Sequence, residues 1–264
     1  MKDIFSFGKN NVMRVVGEKI SGILLDFNAF TSVPAVCTIA DLNKIQLEIS
    51  VRRKGQNKKE IFNGKLNDLL YALYGQDFKY ETCIKALGSG YKMLIRFGGV
   101  LDLGREDELV VEMKPEQASF TSLVLANSSV EVETVPATGK QTPMPKIETV
   151  AFNGKDSIDE SLGNDVISVI LALDYTDTYD ASAKAKIKDA TLTATGFEKD
   201  VSENLLIAEN MEMIQANPDT NVKQMVIHRA VSEAEILHNT RLKANLTLGA
   251  DADARILVVK RQFI

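Results

Sequence analysis

The chain has 264 residues, a formal net charge of −5, 45% hydrophobic and 25% charged residues, and no tryptophan. These are the proportions of a folded globular chain with room for one large domain or two smaller ones. The acidic balance argues against nucleic acid as the main partner, and against sequence-specific nucleic-acid binding, because neutralising phosphates needs a basic face.

No apolar run approaches the roughly 18–20 residues of a spanning helix. The opening Met1-Lys2-Asp3-Ile4-Phe5 lacks the long apolar core of a signal peptide, which predicts a chain that stays where it is made. Cys37 and Cys83 form no CxxC and no metal-ligand cluster, and read as two buried thiols in a reducing compartment.

Along the chain the dominant pattern has period two. In Lys44–Arg52, Ile45, Leu47, Ile49 and Val51 share one face, and charged or polar residues take the other. Lys65–Gly75 then reads as a helix with a stripe of Leu66, Leu69, Leu70 and Leu73, Asn63 as cap and Gly75 as stop. Val135–Lys146 carries Pro136, Pro143 and Pro145, so sheet pairing is expected to stop there and leave a linker.

The pattern resumes beyond it. Ala190–Thr195 alternates Ala and Leu against three threonines. Ser202–Met213 reads as a second helix capped by Ser202, with Leu205, Leu206 and Met213 on its apolar side. A weaker helix falls at Ser232–His238. Arg241–Leu248 sets Leu242, Ala244, Leu246 and Leu248 against Arg241, Lys243, Asn245 and Thr247. Strands with one dry side belong to antiparallel sheets rather than to the doubly covered parallel sheets of α/β enzymes.

Matching segments occur in the same order in both halves. Phe7-Gly8-Lys9 resembles Phe152–Lys155, and Ile20–Phe27 resembles Ile167–Tyr175. Gly55 matches Gly196, Leu69-Leu70 matches Leu205-Leu206, and Lys92–Arg96 matches Gln224–His228. Leu101–Gly104 with Leu109–Val111 resembles Leu246–Gly249 with Ile256–Val259. Their offsets drift only as loop insertions allow, which predicts a tandem duplication. The expected domains are 1–146, a first jelly roll with an added hairpin (Ala118–Ala126 with Val130–Val135) and a Pro-rich linker, and 147–264, a second jelly roll. The fold class is all-β: two tandem eight-stranded jelly-roll sandwiches with a short helix in each.

The strand Lys44–Arg52 leading to Leu66-Asn67-Asp68-Leu69, and the closing Arg241-Leu242-Lys243 through Ile256–Val259, carry a resemblance. In these segments and in its compact length the chain resembles the double jelly-roll major capsid proteins of tailless, internal-membrane-containing icosahedral bacteriophages of the corticovirus type. The resemblance implies a homotrimer of pseudo-hexagonal outline that tiles an icosahedral shell over an internal membrane. It also implies trimer–trimer contacts, other capsid proteins such as a vertex protein as partners, and a place in the virion after assembly in the host cytoplasm.

No reactive constellation competes with that reading, so no enzymatic activity and no cofactor are expected. The histidines are His228 and His238; neither cysteine has an adjacent histidine, and no GxSxG, P-loop or GxGxxG occurs. Gly88-Ser89-Gly90 reads as a hairpin turn, and His228 as a strand residue. Asp174, Asp177 and Asp180, and Asp251 with Asp253, match no EF-hand spacing and read as solvated turns. The basic run Arg52–Lys59 reads as a solvated loop that protects an edge, with anionic lipid or packaged nucleic acid as its functional alternative. No catalytic, cofactor-binding or metal-binding residue is assigned. The alternatives to a major capsid protein are a minor capsid, spike or tail component, and a tandem β-sandwich binding or adhesion module. The missing tryptophan and signal segment count against the last.

Overall fold

The computed structural model describes residues 1–6, 9–28, 45–66, 68–69, 72, 90–115, 128–152, 155–172, 186–214, 224–247 and 254–263. The chain divides into two compact units, the first built on Met1–Leu73 and Phe78–Lys146, the second on Ile147–Arg261.

The first unit holds β1 (Lys2–Ser6), β2 (Asn11–Val16), β3 (Lys19–Asn28), β4 (Ile45–Arg52), β5 (Lys59–Lys65), β6 (Gly90–Asp102), β7 (Glu108–Pro115) and β8 (Ser129–Pro136). They form two four-stranded sheets, in the orders β1-β8-β3-β6 and β2-β7-β4-β5. The later strands are β9 (Met144–Ala151), β10 (Ser157–Gly163), β11 (Val166–Ala172), β12 (Lys186–Ala194), β13 (Phe197–Ser202), β14 (Gln224–Arg229), β15 (Thr240–Thr247) and β16 (Arg255–Gln262). Their orders are β14-β11-β16-β9 and β10-β15-β12-β13. Counted from its own first strand, the second unit repeats the first unit's two orders. The protein is an all-β double jelly roll.

The alternating strands pack as their pattern demands. Ile45, Leu47, Ile49 and Val51 are buried, as are Leu242, Ala244 and Leu246, while Arg241, Lys243 and Asn245 are exposed. In the second unit Val169, Leu171, Leu192, Ile227, Leu242, Ile256 and Val258 belong to one core cluster closed by Phe152 and Leu206. The helix Glu203–Ile214 follows β13, and Ser202 caps it by accepting the Leu205 amide at 3.3 Å. Leu206 is buried but Leu205 is 43% exposed, so the apolar side is narrower than the sequence pattern suggests. A Ser202→Ala variant is expected to lose about 1 kcal/mol of stability, read by urea titration. Leu66, Asp68, Leu69 and Ala72 are helical and buried, whereas Leu70, Leu73 and Gly75 lie outside the described residues. Around 232–238 the chain makes only a 3-10 turn, Glu233–Glu235.

Three expectations need correction. Val130–Val135 is not part of an added hairpin. It lies in β8, which sits between β1 and β3 and completes the first jelly roll; Ala118–Ala126 lies outside the described residues. The counterpart of β16 is therefore β8, and the match of Leu109–Val111 to Ile256–Val259 slid by one strand.

The Pro-rich stretch is also shorter as a linker than expected. β8 runs through Pro136 and β9 begins at Met144, leaving 137–143 between strands. Pro136 ends its strand and Pro145 lies in an edge strand, two positions where a missing ladder donor is tolerated. Nor is the intervening segment loose. The Thr142 amide donates to the Val100 carbonyl at 3.0 Å, and Thr142 Oγ1 accepts the Val100 amide at 2.6 Å. A Cβ at Gly99 would overlap Thr142 Oγ1, so only glycine permits this approach.

The third correction is one of register. A β-bulge interrupts β3 between Ile20 and Gly22 and β11 between Val166 and Ser168. Aligning the bulges pairs Ile20 with Val166, one residue from the match read in the sequence. At Gly22 a Cβ would overlap the Ile95 carbonyl oxygen, so the approach of β6 to β3 at this point requires glycine.

Candidate assembly surfaces

The residues with possible chemistry are dispersed. His228 lies in β14, with Nε2 at 3.2 Å from the Glu235 carbonyl oxygen and its ring edge-on to Phe197. Burial, opposed by that hydrogen bond, lowers its pKa. Ser168 Oγ donates to the backbone carbonyl of His228 at 3.0 Å, not to its ring, so the two make no nucleophile–base pair. His238 Nδ1 lies 3.6 Å from Asp165, and both side chains are exposed. Among the described residues no group of three His, Cys, Asp or Glu could hold a metal ion, and no helix is long and apolar enough to cross a membrane. Cys37, Cys83, Gly88, Ser89, Asp174, Asp177, Asp180, Asp251 and Asp253 lie outside the described residues.

The basic run Arg52–Lys59 is engaged within its own unit. Arg52 Nη1 donates to Glu108 at 3.2 Å, and Lys54 and Lys58 bind Glu106 and Glu48. Arg53 sits deepest. Its Nη1 donates to the Asp102 carbonyl and to Asp107 Oδ2, each at 2.6 Å, and its Nη2 to Gln141 at 3.2 Å. Asp107 also accepts the Lys54 amide at 3.0 Å and the Gly104 amide at 3.1 Å. Led by the Arg53 hydrogen bond, these contacts hold the Asp107 carboxyl below the usual carboxylate range. The cluster ties together the β4–β5 turn, the β6–β7 turn and segment 137–143. Glycine at position 55, with φ of +69°, closes the first of these turns.

The outer faces of the two equivalent sheets are polar. On β2-β7-β4-β5, Arg14 and Arg52 share Glu108 at 3.0 and 3.2 Å, and Lys114 pairs with Glu112 at 3.0 Å. A shallow depression there is lined by Val12, Arg14, Glu48, Arg52, Lys58 and Glu112 among others. On β10-β15-β12-β13, Arg241 grips Asp159 with two bonds of 2.6 and 2.7 Å, and Asn245 donates to Asp189 at 2.6 Å. The Arg241 contact lowers the Asp159 pKa.

The other pair of sheets differs between the units. On the outer face of the first, Lys92 pairs with Asp26 at 2.8 Å, and Lys2 pairs with Glu131. In the second, Ile170, Leu257 and Val259 lie outside the core cluster yet are no more than 2% exposed. β11 and β16 are thus dry on both faces.

Exposed large apolar side chains are unevenly placed. Among the described residues Met1, Ile4, Val12 and Val16 all fall in the first sixteen residues, and the others are Leu205, Val231 and Phe263. β1 and β2 are edge strands of their sheets. The sequence reading missed this edge because the exposed side of a short strand is unmarked until its neighbours are known.

No protein-family model and no curated relative matches the chain. Among solved structures, a chain in the atomic structure of Sulfolobus turreted icosahedral virus aligns over 99% of this chain and 88% of its own, with a TM-score of 0.61 and 15% identity. Recombinant N-glycanase F aligns over 99% of this chain and 96% of its own at a TM-score of 0.37 and 11% identity, too loose a likeness to argue from. The viral likeness is one of fold, and it agrees with the double jelly roll that the strand orders define. It does not extend to the corticovirus type.

Proposed function

We propose that the chain is a structural protein of a virus particle, a major capsid protein whose copies associate into the shell. The observation that carries this reading is the pair of jelly rolls of identical strand order, aligned almost end to end with a chain of an icosahedral virus. The finer reading is a homotrimer. Two like modules in each of three subunits make six like wedges, suited to a site with six neighbours. Tiling over an internal membrane, in a corticovirus-type bacteriophage, completes it. The reading assigns no catalytic role.

Native mass measurement of the purified protein, followed by negative-stain imaging at high concentration, tests the proposal. The expected result is trimers and shell or sheet fragments. A monomer at every concentration overturns the capsid reading.

A further inference from the structure

One edge of the first unit differs from every other described edge. β1 and β2 end their respective sheets and display Ile4 (63% exposed), Val12 (43%) and Val16 (54%). Natural sheet edges are normally blunted by charge, proline or bulges, because an exposed apolar edge recruits another strand. Among the described residues no other edge strand carries a large exposed apolar side chain. The internal repeat supplies a control. β10, the counterpart of β2, exposes Ser157, Asp159, Glu160 and Ser161 instead. The jelly roll therefore does not require the apolar edge.

We propose that this β1–β2 edge docks against the β13 edge of a second copy of the chain. The proposal rests on the self-association read above and assigns a surface to it. Charge selects the occupant. Arg14 and Arg52 share the carboxylate of Glu108, which leaves surplus positive charge beside Val12 and Val16. On β13 itself Glu198 and Asp200 are exposed, and among the described residues neither has an ion-pair partner; Asp200 accepts a hydrogen bond from Thr191. Leu205, exposed at the start of the following helix, adds an apolar contact.

Self-pairing of β2 is disfavoured by the same charges. Antiparallel strands that set Val12 opposite Val16 also set Arg14 opposite Arg14, and like charges directly opposed are destabilising. β2 and β13 have six residues each and end equivalent sheets at opposite sides of their orders. Antiparallel addition with Arg14 opposite Asp200 places Val16 opposite Glu198 and Val12 opposite Ser202. This contact joins the first unit of one copy to the second unit of the next. It is heterologous, and closes into a ring where the rotation permits.

Cysteine cross-linking tests the contact. A Val16→Cys chain and a Glu198→Cys chain, one of them size-tagged, are co-expressed and oxidised mildly; cross-strand neighbours lie within disulfide reach. The expected product is a linked pair containing one of each, absent from wild type and from either variant alone. Val16→Cys linking to itself, or assembled protein with no mixed link, overturns the edge assignment and leaves the capsid reading standing. A monomeric protein overturns both. Independently, the Val12→Lys/Val16→Lys variant, altered only at exposed positions, is expected to keep its circular dichroism and lose higher assembly. Unchanged assembly of that variant overturns the proposal.

Discussion

An Ile170→Lys variant is expected to fail to fold, appearing as insoluble protein or as the loss of a cooperative melting transition. Ile170 lies on the outer face of β11, where simple alternation would put a residue in water, yet it is 1% exposed. An unpaired ammonium there must stay desolvated or force the covering layer away, at a cost of about 5 kcal/mol or more, comparable with the whole stability of a domain. The control lies in the first unit. Bulge alignment makes Leu24 of β3 the counterpart of Ile170, and Leu24 is only half-buried, opposite Glu133 on β8. Leu24→Lys is expected to cost about 1 kcal/mol or less, because its amine can reach water and that carboxylate. Equal effects of the two substitutions, measured by thermal melting, would refute a dry outer face confined to the second unit.

Asp107→Ala is expected to lower the unfolding free energy by about 3 kcal/mol at neutral pH, by urea titration. The substitution removes the acceptor of a largely buried arginine and of two backbone amides, and partly buried charges left without their partner are costly. The pH dependence has a definite sign. The folded-state pKa of Asp107 is depressed, so its contribution is full above the unfolded carboxylate value and is lost as pH falls through the folded one. The gap between wild type and Asp107→Asn should therefore shrink on acidification. A gap that widens in acid would show that Asp107 is not ionised in the folded protein.

The cluster around Asp107 marks a boundary of sequence reasoning. Arg53 and Lys54 are conspicuous in the chain, but their acceptors lie about fifty residues further on, in a turn that reads as ordinary and acidic. Only the pairing of β4 with β7 brings the two turns together. The run is the solvated loop that its composition suggests, exposed at every residue but Arg53, and carboxylates of its own unit pair with Arg52, Arg53, Lys54 and Lys58 within it.

The strand matching shows the same division more sharply. Ile20–Phe27 and Ile167–Tyr175 are indeed counterparts, and their apolar character was enough to find them. Their register was not recoverable, since a one-residue slip in a strand exchanges its faces and apolar runs tolerate either choice. The bulges at Gly22 and Ser168 settle it. The added hairpin failed for a related reason: Ser129–Pro136 is an ordinary amphipathic strand, and nothing local says that it closes a sheet between β1 and β3. The run Val166–Ala172, whose lone polar residue is Ser168, did carry a signal for double burial, because strands covered on both faces lose their alternation.

What the sequence by itself determined is the class of structure: alternating strands, the capped helix after Gly196, the repeated order of segments, and an absence of recognisable catalytic motifs. These follow from period, caps and turn residues, which act over a few neighbouring positions. The tertiary structure alone decided which strand closes each jelly roll, in which register the repeated strands correspond, and which edge is left apolar. Those properties depend on hydrogen-bond partners and covering layers contributed from distant segments, and no local pattern encodes them.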